Sequence, residues 1–146
     1  MLIARLLDYI AAHERSRADA DWSRLKPFFT EDAVHEVSGG PPLGGRWEGR
    51  RALIEHLREE AERFDRHFDE RVLLPRGAPA RIGGLVAFPW RLDYRLDRGT
   101  PPSLRFDGTK VATFASDQIE LLRDELRPGA DGLIREYLRR NLIVIH

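Results

Sequence analysis

A chain of 146 residues is long enough for one domain with a substantial core. Its 24 basic and 24 acidic side chains cancel and are interspersed, so no global field draws it to nucleic acid or to an anionic membrane. Without cysteine it has no disulfides or thiolate metal sites, and nothing marks it for secretion. No stretch is long and apolar enough to span a bilayer. The opening MLIARLLDYI is interrupted by Arg5 and Asp8 and reads as a helix rather than a signal peptide, so a soluble, cytoplasmic protein is expected.

Ile3, Leu6, Leu7 and Ile10 recur at helical spacing, with Tyr9 and His13 on the flank of that face, and the helix should end near Arg15–Ala18. Asp21 can cap a second, short helix carrying Trp22, Leu25 and Phe29, which Pro27 would kink or restart. A β-like run follows at Ala33–Val37. Ser38–Arg50, rich in Gly and Pro, reads as a loop long enough to act as a lid, with Trp47 as its loop anchor or a pocket wall. Arg51–Phe68 is the best helix: Leu53, Leu57, Ala61, Phe64 and Phe68 form its buried stripe, and Glu59–Arg63 and Glu62–Arg66 pair on the wet side. His56 and His67 are expected to be exposed.

From Asp69 the pattern turns to β. Arg71–Pro75 is a strand and Ala80–Asp97 a long one, with bends or bulges at Gly83-Gly84 and Pro89. Ser103–Ala115 is another strand, bulged at Asp107-Gly108, and Ile119–Leu126 the last. Asp131 caps a final helix that Asn141 can end. Leu142–Ile145 are apolar and suited to a sheet edge or a second subunit. Helices followed by a meander of long strands make the α+β pattern, with helices gathered on one side of a curved sheet. A space between helices and concave face is a usual place for a small-molecule pocket.

Two stretches carry the functional question. In Leu85–Asp97, Trp90, Leu92 and Tyr94 lie on one face and Arg91, Asp93 and Arg95 on the other. The simplest reading puts the charged face in solvent; if a partner subunit covers the apolar face, Arg91 and Asp93 turn into the cone. Asp124 has Leu122 and Leu126 as face-mates, so it is either a pocket carboxylate that needs a partner or a strand-end residue in water. His35 is either a core histidine bonded to backbone or an acid–base group, and Tyr9 either a core tyrosine or part of a site. His13, Asp32 and Glu36 have no metal-ligand spacing, so no metal is expected.

The segments LLDYIAAH, WSRLKPFFTEDAVHEV, GGRWEGRRALIEHL and FDGTKVATFASDQIELLRDEL, in this order, resemble the nuclear transport factor 2-like superfamily and its SnoaL-like branch over nearly the whole chain. The resemblance implies a cone-shaped α+β fold: a curved mixed or antiparallel sheet, its concave face covered by the N-terminal helices and one long helix. It also implies a single domain over 1–146, a homodimer through the sheet and an apolar small-molecule ligand within the cone.

Tyr9 falls where ketosteroid isomerases hold a tyrosine, but their base position falls on Val37 and their second Asp near Val111–Ala112, which excludes that activity. Arg91-Leu92-Asp93 and Asp124 resemble the Arg and two Asp of limonene epoxide hydrolases. That resemblance implies Asp124 as base, Asp93 as protonated acid and Arg91 bridging them, without a cofactor. The water-holding Tyr and Asn of those enzymes fall on His35 and Val37; His35 can hold a water and Val37 cannot. SnoaL-type cyclases and dehydratases use Asp and His as acid and base, which His35 with Asp124 or Asp93 would supply. The expected site is therefore Asp124, Asp93 and Arg91 for chemistry, with His35, Tyr9, Trp47 and Val37 around the ligand. A non-catalytic binding module using the same cone is the rival expectation.

Overall fold

The computed structural model describes residues 1–141 and Ile143. The first helix, α1 (Leu2–Asp19), buries Leu6, Tyr9, Ile10 and His13, as their spacing predicts. It stops at Ala20, whose left-handed backbone (φ 61°) lets its N–H reach the Ser16 carbonyl at 2.8 Å. A 3₁₀ helix at Trp22–Phe28 tolerates Pro27 near its end and leads into β1 (Phe29–Val37).

The expected lid is only partly a loop. Gly45–Glu48 forms β2, which folds back on β1 with Val37 opposite Gly45 and Val34 opposite Glu48. The long helix is also shorter than its apolar stripe. α2 (Arg50–Arg63) gives way to a 3₁₀ turn at Asp65–His67, where the Asp65 carboxylate is drawn inward to Arg17 and to the Tyr94 hydroxyl. Phe64 and Phe68 still pack, both against Tyr94.

β3 (Glu70–Pro75) precedes β4 (Ala80–Ile82) and β5 (Leu85–Arg95). Gly83-Gly84 is a complete chain reversal, with Gly83 at φ 61° and Ile82 opposite Leu85. Pro89 breaks nothing, because it stands in the gap between the end of β3 (Pro75 opposite Trp90) and the start of β4 (Ala80 opposite Ala87). β6 (Leu104–Ala115) runs through Asp107 and Gly108 without a bulge. Glycine is required at 108 for another reason. The Trp90 ring lies where a side chain would begin, and a Cβ would fall 2.5 Å from its Cζ2. β7 (Gln118–Leu126) and α3 (Ala130–Arg140) follow.

The strands among the described residues form one mixed sheet in the order β2-β1-β7-β6-β5-β3, with β4 on β5 and only the β1–β7 pair parallel. α1, the first 3₁₀ helix and α2 cover its concave face. Leu6, Leu25, Leu53 and Leu57 meet Phe29, Val86, Ala112 and Leu122 there, all at most 2% exposed. Each such leucine is worth roughly 2 kcal/mol of burial. The convex face carries ion pairs instead, including Arg123 with Glu36 at 3.1 Å. α3 buries Ile134, Tyr137 and Leu138, with Tyr137 stacked on Phe68. The expected packing of Leu142–Ile145 falls, Ile143 apart, outside the described residues; Ile143 donates its N–H to the Leu138 carbonyl at 3.0 Å.

Candidate functional site

Between the helices and the concave face lies a cavity of about 60 Å³. Its waist is apolar, formed by residues such as Ile10, Leu57, Leu92 and Phe106. Two polar groups close it.

The first comes from the sheet. In the parallel β1–β7 ladder Val37 stands opposite Asp124, and in the β6–β7 ladder Lys110 does. Opposed residues share a face, so Val37, Lys110 and Asp124 all turn inward, with His35 two residues before Val37. Lys110 Nζ donates to both Asp124 oxygens at 2.8 and 2.9 Å. The Trp90 indole N–H donates to Oδ1 at 3.2 Å, and His35 Nε2 lies 3.1 Å from Oδ2. All four residues are at least nine-tenths buried.

These donors decide the electrostatics. Burial alone would push the Asp124 carboxyl up, but the Lys110 ammonium and the His35 hydrogen bond outweigh it and hold the group well below the usual carboxylate range. A carboxylate is an acceptor only, so the proton of the His35–Asp124 bond belongs to Nε2. In the neutral ring the lone pair is then on Nδ1, which has no partner in the protein. Trp47 and His56 stack on one another at 3.3 Å between centroids, and the His35 ring is 5.7 and 5.6 Å from them. Burial next to His35 lowers the His56 pKa to about 3.

The second group comes from the helices and β3. Arg17 binds Asp65 and, at 3.1 Å, Glu60; Arg71 binds Glu14. Tyr94 donates its hydroxyl to Asp65 at 2.9 Å. Glu14, Arg17, Glu60, Arg71 and Tyr94 all line the cavity, as does His13. Burial, with Arg17, Lys110, Arg71 and His35 nearby, holds His13 well below the ordinary imidazole range. Among the described residues no group of three His, Asp or Glu is arranged to hold a metal ion.

The sequence-based constellation does not assemble. Arg91 donates to Asp107 at 2.7 and 3.2 Å, and Asp93 accepts from Arg105 at 2.7 and 2.9 Å, both on the convex face. β5 pairs without a slip from Leu85 to Tyr94, so Trp90, Leu92 and Tyr94 turn into the cone and the intervening residues cannot. Arg91 therefore bridges nothing to Asp124. The Arg105 hydrogen bonds keep Asp93 below the usual carboxylate range, which is contrary to the protonated acid expected of it.

Of the four ligand-facing expectations, His35 and Val37 line the cavity. Tyr9 stands behind the wall, fully buried against His13, Phe28 and Phe29. Trp47 is off the cavity, stacked on His56, which is itself half-buried rather than exposed, as is His67. Lys110, Trp90 and the Arg17–Arg71 cluster were not anticipated. Lys110 had a signal: it is the lone cation on the inward row Leu104, Phe106, Gly108, Lys110, Ala112.

Residues 7–121 match the family model described as a SnoaL-like domain. The chain belongs to the SnoaL-like family. This SnoaL-like protein has the cone fold of the nuclear transport factor 2-like superfamily. It is similar to a candidate isomerase from Bacillus subtilis, at 16% identity and a TM-score of 0.68 over 95% of this chain and 96% of that one. It is also similar to TerC, co-crystallised with polyporic acid (18%, 0.65, 92% and 98%), and to Bal32a from a soil-derived mobile gene cassette (16%, 0.64, 88% and 93%). At these identities the structures share a fold. No curated protein sequence matches the chain. No described helix is long and apolar enough to cross a membrane.

Proposed function

We propose that this SnoaL-like protein is a cofactor-independent acid–base enzyme of the isomerase or cyclase type, acting on a small molecule within the cone. The observation that carries the reading is the buried His35–Asp124–Lys110 constellation on the cavity wall. Asp124, saturated with donors, is too weak a base to take a proton from carbon or water. It serves as the fixed anion that orients His35 and stabilises the imidazolium once His35 Nδ1 has taken a proton. Lys110 keeps that anion charged. The substrate is then a carbon acid, such as a ketone with hydrogens next to its carbonyl. TerC and the Bacillus subtilis protein support a small-molecule role by analogy of fold.

Epoxide hydrolysis finds less support. It would need Asp124 to deprotonate water, against the pull of Lys110, and an acid that Asp93 cannot supply from the convex face.

The test is exchange of the carbon-bound hydrogens of pentane-2,4-dione in deuterium oxide, followed by NMR. The protein should speed it above buffer, and His35→Asn should remove at least about 100-fold of the acceleration. Exchange at the buffer rate, or equal exchange by the variant, would refute the reading. Opening of styrene oxide to a diol would favour the hydrolase instead.

We propose also that a second copy docks on the convex face, where Val34, Leu85, Val111 and Leu121 are only half-buried between the ion pairs. Sedimentation equilibrium should then give twice the chain mass, falling to the monomer mass in Val111→Glu; a monomer at all concentrations would exclude the docking.

A further inference from the structure

The proton-transfer group occupies only one end of the cavity. The other end, around Arg17 and Arg71, is a second polar site that the proposed chemistry leaves idle. Two of its groups are buried without a partner: Arg17 Nε, and Nε2 of His13, which is 7% exposed. Glu14 Oε2 lies 3.8 Å from Arg17 Nε, beyond hydrogen-bond reach. A buried donor left unpaired costs about 1–3 kcal/mol, so a ligand oxygen that accepts from it recovers a real penalty. His13 and Arg17 are four apart on α1, hence on one face of the helix and beside the same ligand position.

Charge decides what kind of oxygen fits. Two guanidiniums, Arg17 and Arg71, are already held by three carboxylates, Glu14, Glu60 and Asp65. The cluster is therefore one negative charge in excess. A carboxylate or phosphate arriving there would meet like charge in a water-poor wall, whereas a carbonyl or hydroxyl would take the free N–H without adding charge. His13, whose burial disfavours its cationic form, adds no compensating charge and can either accept or donate.

We propose that the Arg17–Arg71 end of the cavity is a subsite for a neutral oxygen-bearing group, a ketone, ester or alcohol, and that it discriminates against free acids. This deepens the acid–base reading by naming the substrate class, a molecule with its acidic carbon toward His35 and an uncharged oxygen toward α1.

The test uses acetone and acetate, nearly equal in size and different in charge, titrated into the full-length protein at millimolar concentration. Side-chain NMR signals of Arg17 Nε–H and His13 report the binding. Acetone should shift both saturably, and acetate should bind at least about 10-fold more weakly. His13→Phe should abolish the acetone response. Glu14→Gln, which removes the charge surplus, should narrow the gap between the two probes, and it keeps the proposal testable if His13→Phe folds poorly. Equal or tighter binding of acetate, shifts confined to other residues, or no saturable shift would overturn the subsite. In His35→Asn the acetone response should persist, so loss of exchange activity with binding retained separates failure of the chemistry from failure of the subsite.

Discussion

Replacing Lys110 by methionine should destabilise the fold by roughly 3 kcal/mol, read as a lower urea midpoint at unchanged slope. The variant keeps most of the side-chain volume and removes only the ammonium. Asp124 is then left with His35 and Trp90 as donors in a wall where it is 9% exposed. An uncompensated buried carboxylate is far more costly than a buried pair is helpful, which is why removing one partner is worse than removing both. The double variant Lys110→Met/Asp124→Leu should accordingly regain most of the lost stability while having no proton-exchange activity. Wild-type stability in the single variant would mean that water reaches Asp124 freely, and the oriented His35 would lose its physical basis.

Acid should weaken the fold well before ordinary carboxylates titrate. His13 is held neutral by burial in the folded state, whereas in the unfolded chain it titrates near the usual value, about 6.5. Its contribution is intact above that pH. Below it the unfolded chain binds a proton that the folded chain refuses, so stability falls by up to about 1.4 kcal/mol per pH unit. His56, lowered to about 3, acts in the same direction from about 6.5 downward, by less because it is partly solvated. Asp124 joins only below about 4, where the unfolded carboxylate would protonate and the folded one resists. Urea midpoints should therefore drop between pH 7 and pH 5, and His13→Gln should flatten that part of the profile. A flat wild-type profile over this range would show that His13 is solvated.

The fold was largely readable because its elements announce themselves locally. The α1 stripe, the alternation through β5 and β6, and the Gly-rich reversals each depend on neighbours in sequence. What escaped depends on partners far away. The stripe of α2 continues to Phe68, but the helix tightens at Asp65 because of Arg17, 48 residues earlier. Gly108 looked like a bulge, and the reason for it is a tryptophan ring on the next strand.

The site was half readable for a similar reason. Alternation separates Arg91 and Asp93 from Trp90 and Leu92 without saying which set faces the cone. The burial cost of two charges already favoured the outward answer, which the resemblance to epoxide hydrolases ran against. Asp124 was legible as a carboxylate on an apolar row. Its true partners were not, since Lys110 meets it only through strand register.

β5 thus carries two independent texts on one backbone. Its inward residues are bound by the shape of the cavity and the hydrogen bond to Asp124, while its outward ones answer to ion pairs with the neighbouring strands, Arg91 with Asp107 and Asp93 with Arg105 on β6 and Arg95 with Glu70 on β3. Evolution can rewrite the outer row, and with it whatever meets the convex face, without disturbing the chemistry inside. Two relatives of this protein could therefore share a reaction and differ entirely in the company they keep.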